Sequence, residues 1–204
     1  QIGGISKRST DFGSHYMRTA LDYTRSKGIT TSTIFVDVVA AFYNVKRSHI
    51  LPVPSGKPGT DIMTEHGVDP HLAASAAAAS TATWFAIQAS PTLTEYEKGV
   101  LPGDPEADLN LTLLATKVLD EIHDEFKKAG LSPQFPSKAE DPLLSHGCRV
   151  IDEWPSDLSY VDDAAFMIHG EARNIVSRTQ RALQIIFAIF TKYSLPLNFG
   201  PGKT

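Results

Sequence analysis

The most informative stretch of this chain is LSYVDDAAFMI, residues 158–168. It places two adjacent carboxylates, Asp162 and Asp163, inside an apolar run that otherwise predicts a β-strand. Like charges at such close range destabilise each other in an apolar setting unless cations neutralise them. A divalent metal would keep both acids ionised, and a solvated turn between two strands is the other interpretation of the same residues.

A third carboxylate lies near the end of another predicted strand. TTSTIFVDVV, residues 30–39, is β-branched and apolar and contains Asp37. LSYVDDAAFMIHG predicts a hairpin whose tip carries Asp162 and Asp163. If the two strands are neighbours, the three acids meet at one edge of a sheet. Such a trio can hold two Mg²⁺ or Mn²⁺ ions, the arrangement used for phosphoryl and nucleotidyl transfer.

Helical patterns alternate with these strands along the chain. Helices are expected at residues 9–28, 40–51, 71–82, 103–130 and 172–194, and strands at 30–39, 83–89, 148–154, 158–170 and 195–200. The strand at 83–89 is expected to form a hairpin that returns towards Gly99. The order predicts an α+β fold in which a mixed or antiparallel sheet is backed by helices.

Composition excludes several classes of protein. The 204 residues are 42% hydrophobic and 21% charged, as in an ordinary globular domain. Cys148 is the single cysteine, so there is no internal disulfide framework, and a reducing compartment is expected. No run approaches the roughly 20 apolar residues of a membrane span. The chain is expected to be a piece of a longer protein.

Charge is distributed unevenly. Residues 1–60 contain eight Lys and Arg against three acids, or +5, so the remainder carries −9 of the total of −4. A basic N-terminal region facing an acidic centre would suit an enzyme that handles polyphosphates. Chance asymmetry between the two parts of the chain explains the charges nearly as well.

Five segments together resemble, in the right order, the motifs of reverse transcriptases of the non-LTR retroelement and group II intron type. FVDVVAAFYNV resembles motif A, GVLPGDPEADL motif B, SYVDDAAF motif C and LPLNFGPGKT motif D, and QIGGISKRST resembles the finger segment before motif A. Together they span nearly the whole chain. The motifs are weak individually, and their order makes the resemblance specific.

The resemblance implies a right-hand polymerase palm with partial fingers and without the thumb. Residues 1–30 and 44–100 would belong to the fingers and connecting parts, and residues 31–43 and 101–204 mainly to the palm. The implied activity is that of an RNA-directed DNA polymerase from a retrotransposon-type element. It would add deoxynucleotides to a primer 3′-OH on an RNA or DNA template, using two Mg²⁺ or Mn²⁺ ions. No membrane partner is expected, and the location would be intracellular, in the nucleus for a eukaryotic host.

The same resemblance implies roles for individual residues. Asp37, Asp162 and Asp163 would be the catalytic metal ligands, joined by the main-chain carbonyl of Val38, and Tyr160 and Val161 complete motif C. Phe42, five positions after Asp37, stands where the family has a bulky residue that excludes a ribose 2′-OH. Without the motif around it, Phe42 is an ordinary core residue.

Further residues would contact the nucleotide. Lys203 matches the motif D lysine, a general acid for the leaving pyrophosphate, and is otherwise a flexible terminal lysine. Lys7 and Arg8 would clamp phosphate oxygens or are simply solvated. Gly103 would let the backbone approach the nucleotide at the start of the motif B helix, which also fits an ordinary helix N-terminus.

One departure from the family pattern leaves a second hypothesis open. Pro102 stands where a glutamine usually precedes the motif B glycine, and this removes a side-chain contact and a backbone donor. The alternative is therefore a catalytically inactive, reverse-transcriptase-like scaffold that binds nucleic acid, or a decayed element. Retention of all three aspartates favours the enzyme.

Overall fold

The computed structural model of the chain describes residues 10–52, 61–81, 83–86, 92–95, 98–100, 105–133, 157–160 and 163–204. The strand expected at residues 148–154 lies outside these ranges. So do Lys7, Arg8, Gly103, Val161, Asp162 and the side chain of Tyr160.

The described elements alternate helices and strands and confirm the expected α+β class. In chain order they are α1 (Thr10–Ser26), β1 (Thr30–Val36), α2 (Ala41–Asn44), a 3₁₀ turn (Arg47–His49), α3 (Ile62–Glu65), α4 (Pro70–Ala79), β2 (Trp84–Ala86), β3 (Leu93–Glu95), α5 (Pro105–Lys128), β4 (Asp157–Tyr160), β5 (Asp163–Gly170) and α6 (Ile175–Lys192). Among these helices, none has the length and apolar character that a membrane crossing requires.

The main sheet has the strand order β1-β5-β4, and both pairings are antiparallel. The expectation that the strand before Asp37 neighbours the hairpin of residues 158–170 is therefore confirmed. Of the mixed or antiparallel sheet that was expected, the described strands form the antiparallel kind, because each of them runs antiparallel to its neighbour. β2 and β3 form a separate antiparallel pair. Its second strand is Leu93–Glu95, whereas the sequence suggested that the returning strand extends to Gly99.

One face of the main sheet forms the core with α5 and α6. Phe166 and Ile168 of β5 are fully buried on this face, and Ile34 and Val36 of β1 join them. The ring of Phe126 from α5 meets Phe166 edge to face at 5.9 Å between centroids. Fully burying a side chain of this size stabilises the fold by about 1.5–3 kcal/mol. Buried apolar residues at helical spacing on α5, among them Val118, Ile122 and Phe126, thus cover the sheet on this side.

Two local features differ from what the sequence suggested. The strand expected at residues 195–200 is a single bridge between Leu197 and Val38, because Pro196 lacks an N–H and the Asn198 side chain accepts from the Gly200 backbone instead of continuing a ladder. The short helix α3 lies before α4, at residues for which the sequence predicted no helix or strand. Its N-cap is Asp61, a buried aspartate whose carboxylate accepts from the Thr64 N–H at 2.8 Å.

The segment around Gly99 is joined closely to α2 and its surroundings. The Val100 N–H donates to the Phe42 carbonyl at 2.8 Å, and the Gly99 N–H donates to Val45 at 2.7 Å. Arg47 donates from Nε to the Gly99 carbonyl at 2.9 Å and from its guanidinium to the end of α4 at Ser80. These bonds connect α2 and the 3₁₀ turn to the end of α4 and to the segment at Gly99 and Val100.

Gly99 is required at this junction for two reasons. Its φ is +83°, and a Cβ there would lie 3.0 Å from the Tyr43 carbonyl oxygen and 3.1 Å from that of Phe42. We expect Gly99→Ala to lower the free energy of unfolding by about 1–2 kcal/mol for the backbone conformation and by roughly 1–3 kcal/mol more for overpacking. Urea denaturation measures this loss.

Gly67→Ala is the matched control. Gly67 has nearly the same φ, +81°, but nothing lies within 4 Å of the position where its Cβ would be. Gly67→Ala should therefore lower the free energy of unfolding only by the contribution of the backbone conformation. Equal losses in the two variants would contradict the close approach of Gly99 to α2.

Candidate active site

The pairing of β1 with β5 brings two of the predicted carboxylates to the same end of the sheet. Val36, the last residue of β1, is paired with Ala164, so Asp37 and Asp163 are the next residues on the two neighbouring strands. Successive side chains in a strand point to opposite faces. Both acids therefore share the face of Phe35, whose side chain is 63% exposed, and not the buried face of Val36.

Asp37 and Asp163 both line one cavity of about 460 Å³ at this end of the sheet. Phe35, Ala165 and Leu158 form its floor. Ala165 is paired with Phe35 on one side and with Leu158 on the other, so the three residues form a row across the three strands. The C-terminal segment provides the remaining wall through Gly202 and Lys203. The cavity thus combines two acids, a lysine and an apolar floor.

Asp37 is held by the segment 198–204, which lies against the end of β1. Its Oδ2 accepts a hydrogen bond from Asn198 Nδ2 at 2.7 Å, and the ammonium of Lys203 lies 3.6 Å from the same oxygen. The Asp37 N–H donates to Thr204 Oγ1 at 3.1 Å. The structure therefore brings the predicted residue Lys203 to Asp37. Asn198 was not among the predicted site residues, and its one signal in the sequence is its place five residues before Lys203.

The backbone at Val38 is bridged to the segment after α6. Val38 and Leu197 form an antiparallel bridge, and its two hydrogen bonds run from Val39 N–H to the Pro196 carbonyl and from Asn198 N–H to the Asp37 carbonyl. Val38 is thus the non-hydrogen-bonded position of this pair. The bridge does not use the Val38 carbonyl oxygen that the resemblance assigns to a metal.

The donor set at this sheet end suits a hard divalent cation. Mg²⁺ and Mn²⁺ prefer carboxylate, carbonyl and phosphate oxygens, and Asp37, Asp163 and Val38 present the first two kinds. Within the described ranges, no group of three or more His, Cys, Asp or Glu side chains is placed to hold a metal ion. The third expected ligand, Asp162, falls outside those ranges.

Phe42 lies on α2, close to Asp37 in sequence but in a different environment. Its side chain is half-buried and packs against the core of the sheet and helices. It is not among the residues that line the cavity beside Asp37 in the described part of the chain. The neighbouring Tyr43 is 64% exposed, so the two aromatic residues of α2 differ in their burial.

A buried acid supports the hairpin from the core side. Asp157, the first residue of β4, is buried and accepts a hydrogen bond from His123 Nε2 of α5. This hydrogen bond raises the pKa of His123 above its usual value, against the lowering effect of burial. Burial, with a smaller contribution from the Asp157 charge, raises the pKa of Tyr16 on α1 to about 12. Three elements are thus connected at the base of the strand that leads to Tyr160.

Comparison of the chain with protein-family models, with curated proteins and with solved structures found no match.

The His123–Asp157 pair predicts a pH-dependent stability. Because the folded pKa of His123 is raised, the charged pair contributes fully below about pH 6.5 and its contribution is lost as the pH rises through the raised value. Burial lowers the pKa of His49 and His169, so these residues act in the opposite sense. The difference in melting temperature between wild type and His123→Gln should therefore be larger at pH 5.5 than at pH 8. The exposed His71 on α4 provides the control, and a His71→Gln variant with the same pH-dependent difference would contradict the assignment.

Proposed function

We propose that the chain is the palm, with part of the fingers, of a retroelement-type reverse transcriptase, and that it adds deoxynucleotides to a primer 3′-OH on an RNA or DNA template. The observation that carries the proposal is the register of β1 and β5. It places Asp37 and Asp163, which come from segments resembling motifs A and C, side by side at one sheet end where both line a single cavity. The order of the five motif-like segments supports the same reaction.

The proposed centre uses Asp37, Asp163 and the adjacent Asp162, together with the Val38 carbonyl, to hold two Mg²⁺ or Mn²⁺ ions. When bound, these ions would activate the attacking hydroxyl and neutralise the leaving pyrophosphate. The chain itself supplies position and charge: the carboxylates stand at a rigid sheet end, and the floor at Phe35 and Ala165 offers apolar contact to a sugar or base.

Two other residues have proposed roles beside the acids. Lys203, with its ammonium 3.6 Å from Asp37 Oδ2, is placed at the acidic centre and would donate a proton to the leaving pyrophosphate. Phe42 would exclude ribonucleotides through the part of its ring that the core leaves uncovered. Gly103, Lys7 and Arg8 keep the nucleotide-binding roles that the resemblance implies.

Removal of the charge at Asp37 tests the proposal directly. Asp37→Asn is nearly isosteric and removes a metal-binding charge, so extension of a labelled primer on an RNA template should fall on the order of 100-fold or more, the scale seen when a group that stabilises developing charge is lost. The measurement uses Mg²⁺ and Mn²⁺ in parallel. The same loss is expected for Asp163→Asn and Asp162→Asn.

Asp124→Asn is the control for this change of charge. Asp124 is an exposed acid on α5, away from the cavity, and its variant should extend the primer as wild type does. Extension by Asp37→Asn at the wild-type rate would refute the metal centre. Binding of primer and template by the wild-type chain without any extension would favour the inactive scaffold.

Phe42→Val tests the choice of sugar. A smaller side chain should admit the ribose 2′-OH, so the preference for deoxynucleotides over ribonucleotides should fall about 10-fold or more, as expected when a steric contact in a pocket is removed. Single-nucleotide extension with each substrate measures the ratio. Tyr43→Val removes the adjacent, exposed aromatic residue of α2 and should leave the ratio unchanged. An unchanged ratio in Phe42→Val would reject the gate.

A further inference from the structure

The segment after α6 returns to the end of β1 and closes on itself there. Beyond the bridge at Leu197, the Asn198 N–H donates to the Asp37 carbonyl at 2.9 Å. The Thr204 N–H donates to the Asn198 carbonyl at 2.9 Å, and the Asp37 N–H donates to Thr204 Oγ1 at 3.1 Å. Residues 198–204 therefore form a closed loop, which we name the Asp37 loop, with both of its ends bonded to Asp37.

Asn198 is the residue that connects this loop to a carboxylate. Its backbone N–H and carbonyl take part in the closure, and its side-chain Oδ1 accepts from the Gly200 N–H at 3.0 Å. The other end of the same side chain donates from Nδ2 to Asp37 Oδ2 at 2.7 Å. Because Oδ1 accepts from Gly200, the amide plane is held in place, and one of the two N–H groups of Nδ2 points at the Asp37 carboxylate.

This contact has a specific consequence for Asp37. The terminal torsion of an aspartate is broad and roughly two-fold, so a carboxylate without a directional partner samples many orientations. A hydrogen bond to an ionised acceptor is short and strong, and an amide supplies it without adding a positive charge at the site. The Asn198 amide thus orients the carboxylate and leaves its charge in place.

We propose that Asn198 is a positioning residue for Asp37: its side-chain amide holds the carboxylate in the orientation that a divalent cation requires. The inference rests on the proposed function, since it concerns the same acidic centre. Asn198 acts through Asp37 in the way that outer residues orient metal ligands in other sites, where their loss costs about 10–100-fold in metal affinity.

The first test is Mn²⁺ binding to the whole chain, followed by electron paramagnetic resonance of the free ion. Wild type should bind Mn²⁺, and Asp37→Asn should lose this binding. Asn198→Ala should bind about 10–100-fold more weakly than wild type, because the carboxylate is no longer oriented.

Thr204→Val separates positioning from simple closure of the loop. Thr204 bonds to the backbone of Asp37 and not to its carboxylate, so this variant loosens the Asp37 loop while the Asn198 contact persists. It should bind Mn²⁺ as wild type does. Wild-type affinity in Asn198→Ala, or an equal weakening in Thr204→Val, would overturn the inference and leave the proposed function standing. If wild type shows no Mn²⁺ binding that depends on Asp37, the proposed centre fails and the inference fails with it.

A second measurement needs no metal. It distinguishes the interaction between Asn198 and Asp37 from a general destabilisation of the fold. Melting temperatures of Asn198→Ala, Asp37→Ala and the double variant form a cycle with wild type. If the two side chains hold each other, the double variant should lose less than the sum of the single losses. Additive losses would mean that the amide and the carboxylate do not interact in solution, which would overturn the inference.

Discussion

The antiparallel pairing of β1 with β5 is the constraint on which the other features depend. Its register is set by burial: Ile34 and Val36 must face α5 and α6 together with Phe166 and Ile168. A slip by one residue would turn every one of these side chains to the opposite face, away from α5 and α6. The same register places Asp37 and Asp163 side by side on the opposite face. The packing of the core therefore fixes where the two acids lie, and it holds them as rigidly as it holds the sheet.

Two of the acids near this end of the sheet have polar partners in direct contact. Asp37 has a neutral amide and a more distant ammonium on one oxygen, contributed by the Asp37 loop. Asp157, at the base of the hairpin, has a histidine partner from α5. An unpaired buried acid would cost several kcal/mol, so each acid near the core needs such a partner. The acids on the open face keep access to solvent and to cations, which is the condition for binding a metal.

Much of the fold could be read from the sequence because local signals agreed with each other. The apolar faces of α1, α5 and α6 follow the 3.6-residue period, and the β-branched run before Asp37 defines β1. The errors occurred where short-range chemistry was ambiguous. A four-residue helix depends on one capping aspartate, Asp61, and the last expected strand was prevented by Pro196 and by the turn at Asn198.

For the candidate site, the sequence alone predicted the kinds of residues, their order and the strands that carry them. It predicted Asp37, Asp162 and Asp163 as one centre, because acids in apolar strands are costly unless cations neutralise them, and the resemblance to reverse transcriptases added Lys203. Which residues meet follows from the packed fold: Asn198 and Lys203 both lie at the same oxygen of Asp37, and Phe42 is half-buried against the core. The physical reason is the distance along the chain over which each kind of interaction acts. Caps and periodic patterns act over a few residues, whereas the contact between residues 37 and 198 exists only after the sheet, α5 and α6 have packed together.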